Sequence, residues 1–230
     1  MKLLNRLWHG SLRLGFHLLY NELAWTYDAV SWVVSLGQWR DWQRAALPYL
    51  HGSRILELAH GPGHMLMALH EKDTDVTVVG LDFSPYMSRI AQRRLQKAQA
   101  AAVLLRARAQ ELPLASESFD SVLSTFPTEF VVHPDTLSAV WRVLRAGGRF
   151  VIVPEGHLTG QGPLNRFIEW LYVVTGQRGH AFTIDDASWP ALEQSSGFQQ
   201  CFHETGFKVQ VKRVQFGSSS ATVVIAEKAQ

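Results

Sequence analysis

Two hydrophobic periods take turns along the middle of this chain. Arg54–Leu58 is a short apolar run that ends in a glycine-containing loop, and His64–His70 reads as the helix that follows. Val76–Leu81 is a second buried strand. Ser84 predicts an N-cap, and Pro85 the first turn of a helix reaching about Ala101. Val103–Ala107 and Phe119–Thr125 predict the third and fourth strands. Pro134–Arg145 predicts a helix stopped by Gly147-Gly148, and Arg149–Val153 the fifth strand. Strands alternating with helices imply a parallel sheet with right-handed crossovers. The tail breaks this rhythm. A helix over Ser188–Thr205, with a break at Gly197, precedes strands at Phe207–Phe216 and Ala221–Lys228. Residues 217–220 would join these two as an antiparallel hairpin.

Two amphipathic segments stand outside that alternation. Residues 1–20 carry Lys2, Arg6 and Arg13 among leucines and aromatics at roughly helical spacing. Arg13 interrupts any signal-peptide core, and no small-residue cleavage site follows. Such a helix either packs on its own domain or lies on a membrane surface. The second segment, Leu164–Val174, sits between glycines at 160, 162, 176 and 179, as a substrate lid or a packed connector would. The expected organisation is one domain: a helical cap (1–50), a cofactor-binding core (51–155), a lid insertion (156–185), and a closing helix and hairpin (186–230).

Composition narrows the classes. Hydrophobic residues make up 47% of the 230, as in ordinary globular domains. Five of the eight Trp fall in the first 42 residues, which suggests an aromatic lid or an interfacial surface. A net charge of +2 with scattered basic residues argues against a nucleic-acid partner. The single Cys201 allows no intramolecular disulfide and no zinc spacing, so no metal is expected and a reducing, cytoplasmic setting fits. No apolar run is long enough to span a bilayer. Nothing here assigns an oligomeric state.

The chemistry concentrates in Ile55-Leu56-Glu57-Leu58-Ala59-His60-Gly61-Pro62-Gly63-His64. A strand delivers an acidic residue, and a small-residue turn then lets backbone approach a ligand near a helix N-terminus. Dinucleotide binders need a third glycine three residues after the second, and Leu66 stands there. S-adenosylmethionine has no phosphate; its ammonium makes Glu57 useful rather than repulsive. Asp82, nineteen residues beyond Gly63, ends the second strand where a carboxylate can accept ribose hydroxyls.

Four pieces in order resemble a class I S-adenosylmethionine-dependent methyltransferase of the ubiquinone and menaquinone biosynthesis group. They are Glu57-Leu58-Ala59-His60-Gly61-Pro62-Gly63; Gly80-Leu81-Asp82-Phe83-Ser84-Pro85-Tyr86-Met87; Ala109-Gln110-Glu111-Leu112-Pro113 with Ser118-Phe119-Asp120; and Leu144-Arg145-Ala146-Gly147-Gly148-Arg149-Phe150. The resemblance implies an α/β fold: a Rossmann-like doubly wound sheet, mostly parallel, with a C-terminal antiparallel strand pair and helical lid elements. It implies that Glu57, Ala59, Gly61 and Gly63 surround the methionine moiety and that Asp82 holds the ribose. Phe83 and Met87 would flank the adenine, with Ala109 and Gln110 along its edge. Thr125 and Phe126 would approach the sulfonium, and Tyr27 would close over the cofactor. Two departures stand out. Ala59 replaces the usual glycine, so the turn should form there without a positive φ. Arg108 replaces an acidic residue, and a guanidinium cannot accept from the adenine amino group.

These expectations lead to methyl transfer onto a small apolar acceptor, at oxygen or carbon. His133 is the candidate base nearest the fourth strand, with His64, His157, His180, Glu129 and Glu155 as further candidates. Tyr20, Trp25, Phe167 and Trp170 are candidate pocket linings. A methyltransferase-like scaffold without catalysis, or a nicotinamide oxidoreductase, would be the competing classes.

Overall fold

The computed structural model describes residues 31–32, 35–158 and 196–229. The first element whose bounds are described is a short helix, α1 (Trp39–Arg44). The core then alternates as the sequence predicts. β1 (Arg54–Leu58), α2 (His64–Lys72), β2 (Thr77–Leu81), α3 (Pro85–Lys97) and β3 (Val103–Leu105) come first. β4 (Phe119–Thr125), α4 (Pro134–Val143) and β5 (Leu144–Val153) follow. Next come β6 (Gly156–Leu158), α5 (Ser196–Glu204), β7 (Phe207–Phe216) and β8 (Ser219–Lys228).

The eight strands of the described residues join one sheet. The path runs β3-β2-β1-β4-β5-β8, with β6 on the same side of β8 as β5 and β7 on its far side. The first five strands are parallel, and the last three run antiparallel to their neighbours. β1 exposes only Arg54, because helices cover both faces of a central parallel strand. On one face α4 and α5 pack over Leu56, Val122, Phe150, Ile152 and Val224. On the other, α1, α2 and α3 pack over Ile55, Val78, Leu123, Val151 and Val223. The doubly wound expectation holds.

Local chemistry explains most boundaries. Ser84 Oγ accepts the Met87 N–H at 3.3 Å, with Pro85 in the first turn of α3, as predicted. Other boundaries move. The helix expected to reach Arg145 stops at Val143, and the chain enters β5 at Leu144, ahead of the two glycines. Gly147 and Gly148 fall in an irregularity: Phe119 pairs with Leu144 and Ser121 with Arg149, so three extra residues bulge from β5. The expected lid would begin at Gly156, yet residues 156–158 form β6 against β8. The hairpin turn shortens to Gly217-Ser218, since Phe216 pairs with Ser219. Within the described part of α5 the helix runs through Gly197.

Asp120 belongs to the architecture. It stands at the far end of β4 from Thr125, where its Oδ2 accepts the Ser53 and Arg54 N–H groups, each at 2.9 Å. Partial burial pushes its acidity one way, but those donors and Arg145 win and hold the carboxyl below its ordinary range.

Candidate cofactor and acceptor site

The site is built at the C-terminal edge of the parallel strands, where β1 turns into α2. Ala59 has φ +54°, Gly61 +53° and Gly63 +83°. The expectation that Ala59 avoids the left-handed region is therefore wrong. The turn that brings residues 59–63 under β2 requires that conformation whichever residue occupies it. A left-handed L-residue costs roughly 1–2 kcal/mol. Glycine would remove that strain and restore some unfolded-chain entropy. Ala59→Gly should therefore stabilise by about 0.5–1 kcal/mol and raise Tm by about 2–3 °C. A calorimetric scan showing an unchanged or lower Tm would refute the strain argument. Gly63 is fixed by space as well: a Cβ there would lie 2.9 Å from Ala91 Cβ, at the contact of α2 with α3.

Asp82 ties this loop to the next helix. Its Oδ2 accepts Gly61 N–H at 2.8 Å and its Oδ1 accepts Ser84 N–H at 2.8 Å. His60 fills the space beneath. Its Nδ1 donates to the Gly61 carbonyl at 2.7 Å, and its Nε2 faces Ser88 Oγ at 3.5 Å. Burial lowers its pKa, against the raising pull of Asp82 and of its backbone bonds, so the ring is neutral. Leu66, where a dinucleotide fold needs glycine, is wholly buried beside Gly63 and Gly80.

Glu57 is 1% exposed, and its Oε2 receives no donor among the described residues. Burial, reinforced by the charge of Asp82, raises its pKa well above the carboxylate range. A second orphaned acceptor is close by. Gln43, from α1, donates through Nε2 to Thr125 Oγ1 at 3.0 Å, while its Oε1 is buried without a donor among the described residues. Glu57 pairs with Leu123 in register, so Thr125 lies two residues further along the same sheet face. Two buried acceptors thus wait for a donor at one end of one face. The ammonium of an amino acid is such a donor, so the residues present fit the methionine end of S-adenosylmethionine.

The remaining residues divide clearly. Phe83 is 59% exposed, with Arg106 and Arg108 guanidinium carbons each 5.6 Å from its ring centroid. Met87 and Ala109 are buried and Gln110 is half-buried. Phe126 holds φ +49°, donates its N–H to Val153 at 2.7 Å and stacks on Trp39 at 3.9 Å. His133 is exposed and caps α4, its Nδ1 accepting Asp135 N–H at 3.3 Å. Tyr20, Trp25, Tyr27, Phe167 and Trp170 lie outside the described residues. Sequence reasoning missed Gln43, His60 and the roles of Trp39 and Trp42. Trp42 donates its indole N–H to Ser219 at 3.0 Å and packs on Gly156, where a Cβ would sit 2.1 Å from the ring. The early tryptophan cluster was the only signal for that part of the cap.

Comparisons with known proteins fit this geometry. A demethylmenaquinone methyltransferase of Symbiobacterium thermophilum is 32% identical over 68% of this chain and 63% of its own length. That of Deinococcus radiodurans is 31% identical over 86% of this chain and 87% of its own. That of Thermus thermophilus is 33% identical over 89% and 98%. Among solved structures, an S-adenosylmethionine-dependent methyltransferase described as putative, from Methanococcus maripaludis, superposes with a TM-score of 0.61 at 17% identity. It covers 92% of this chain and 94% of its own. The profile of the ubiE/COQ5 methyltransferase family matches residues 13–228, so the chain belongs to that family and is an S-adenosylmethionine-dependent methyltransferase.

Proposed function

We propose that this enzyme methylates a ring carbon of a small hydroxylated aromatic that carries an apolar tail, a reduced quinone of the demethylmenaquinone type. One observation supports the placement of the reaction: Glu57 Oε2 and Gln43 Oε1 are buried without a donor among the described residues, as acceptors reserved for the ammonium of the methyl donor would be. Thr125 and Phe126 then stand next to the sulfonium, which supplies an electrophilic methyl group when bound. Ala59, Gly61 and Gly63 hold the methionine backbone and Asp82 the ribose. Phe83, Met87, Ala109 and Gln110 border the adenine, and Tyr27 closes over it. Tyr20, Trp25, Phe167 and Trp170 line the acceptor pocket. The named relatives support the acceptor class.

Chemistry selects the reduced ring. A quinone is electron-poor and repels an electrophile, whereas a quinol donates its oxygen electrons into the ring. The chain's task is to align that carbon with the methyl group in a dry pocket. Incubation with methyl-labelled cofactor and a prenylated 1,4-naphthoquinone, with and without dithionite, tests this. Label should enter ring carbon only under reduction. No incorporation, or methyl ether as the product, would sink the assignment. No helix of the described residues is long and apolar enough to cross a membrane. The basic, amphipathic segment 1–20 would instead meet a bilayer surface as the tail enters. Sedimentation of the chain with anionic but not neutral vesicles is the expected result, and no sedimentation with either removes the membrane contact.

A further inference from the structure

The structure holds a second buried polar pair, just beyond the end of β5. His157 Nε2 lies 3.1 Å from Glu155 Oε1, and both side chains are 11% exposed. Glu155 Oε1 is shut off from solvent and makes no hydrogen bond among the described residues, so its approach to His157 is a charge contact. No hydrogen bond among the described residues engages His157 Nδ1.

A break in the sheet puts the pair there. Ile152 pairs with Val224 and Gly156 with Ala221, so four steps on one strand match three on the other. The extra residue falls around Pro154, which has no N–H to give the ladder. The Glu155 carbonyl accepts Thr222 N–H at 3.1 Å and restarts the pairing. The bulge switches faces. Gly156 joins Ala221 on the Trp42 side, and His157 joins Ser220 on the Ile152 side. β4 and β5 are paired up to Thr125 and Val153, so the bulge emerges beside the strand end where Thr125 and Phe126 stand. Among the described residues, charged neighbours on this face are few. β7 contributes Arg213, whose Nε donates to Ser220 Oγ at 3.0 Å. The connection from β4 to α4 contributes Glu129 and His133, both exposed.

We infer that Glu155 and His157 are the proton acceptor of the reaction, with His157 Nδ1 as the base and the Glu155 carboxylate beside Nε2 to offset the charge the ring gains. This rests on the hydroxylated acceptor proposed above. The acceptor's O–H proton moves to Nδ1, and the oxygen's electron pair enriches the ring carbon. That carbon bonds to the methyl group as the methyl–sulfur bond breaks, sulfur keeping the pair. Loss of the displaced ring proton to solvent restores aromaticity, and the imidazolium returns its proton to the product's oxygen. Glu155 stabilises the imidazolium that forms.

The test uses the full chain with reduced prenylated naphthoquinone and a ring-halogenated analogue whose hydroxyl is more acidic. His157→Gln should lower kcat by about a hundredfold or more on the parent acceptor. It should keep the melting shift caused by S-adenosylhomocysteine. The loss should shrink on the acidic analogue, which ionises without help, and the variant's rate should keep climbing with pH where the parent's levels off. Glu155→Gln should show the same pattern more weakly and guards against misfolding of the first variant. Equal losses on both acceptors, no loss, or a lost cofactor shift in both variants would overturn the assignment. No turnover by the unaltered chain would overturn the acceptor class and the base together, whereas turnover undiminished by either change overturns the base alone.

Discussion

Asp82→Ala should weaken S-adenosylhomocysteine binding by about 1.5–3 kcal/mol, the range for hydrogen bonds to charged groups. The carboxylate has two tasks. It accepts from Gly61 and Ser84 backbone N–H groups, and each oxygen keeps a lone pair for the ribose hydroxyls proposed above. The first task shapes the 59–63 turn, and the second would hold ligand. Asp82→Asn separates them. An amide keeps the size and one acceptor oxygen, so it can retain the bond to Ser84 or to Gly61 but not both. Titration calorimetry should rank affinity as Asp, then Asn, then Ala. The melting temperature without ligand should fall for Ala, because the strained turn loses its anchor. Unchanged affinity in Asp82→Ala would place the ribose elsewhere.

Three strands were readable to the residue. The predicted Arg54–Leu58, Phe119–Thr125 and Phe207–Phe216 recur with the same ends. In the two central strands, a continuous apolar run bounded by polar residues has few alternatives in register. Failures cluster where the chain departs from regular pairing. Leu144–Gly148 looked like the end of a helix because two glycines usually stop one. The pairing of Leu144 with Phe119 is a long-range contact that no local pattern announces. β6 has three residues after a proline, too short for any periodicity. Ala59 failed differently. Residue preference argued against positive φ, but the turn's path decided it, and strain at a ligand-facing turn is where local rules most often lose. In the site, Glu57 and Asp82 were legible because strand ends fix their position. Gln43 was not, because its relevance comes from a contact across 82 residues to Thr125.

Cofactor binding should become stronger as pH rises, through Glu57. Burial, and then the nearby Asp82, hold its folded-state pKa well above the unfolded value near 4.5. Without ligand, the folded chain therefore binds a proton that the unfolded chain has released. The resulting stability is fully present below about 4.5 and is lost as pH rises through the folded pKa, at up to ~1.4 kcal/mol per unit. His60 works oppositely: its lowered pKa means stability is lost as pH falls below about 6.5. An ammonium beside Glu57 favours the ionised carboxyl, so binding would expel the proton. Affinity should climb by up to about tenfold per pH unit until the ligand-free Glu57 is itself ionised. Glu57→Gln cannot ionise. The variant should melt higher than the parent without ligand at neutral pH, with a difference that shrinks towards pH 4.5. Its melting shift with S-adenosylhomocysteine should be smaller and flat with pH between about 5.5 and 8, where the ligand's own ammonium stays charged. A pH-dependent shift that survives in Glu57→Gln would assign the titration to another group and move the amino-acid end of the cofactor away from Glu57.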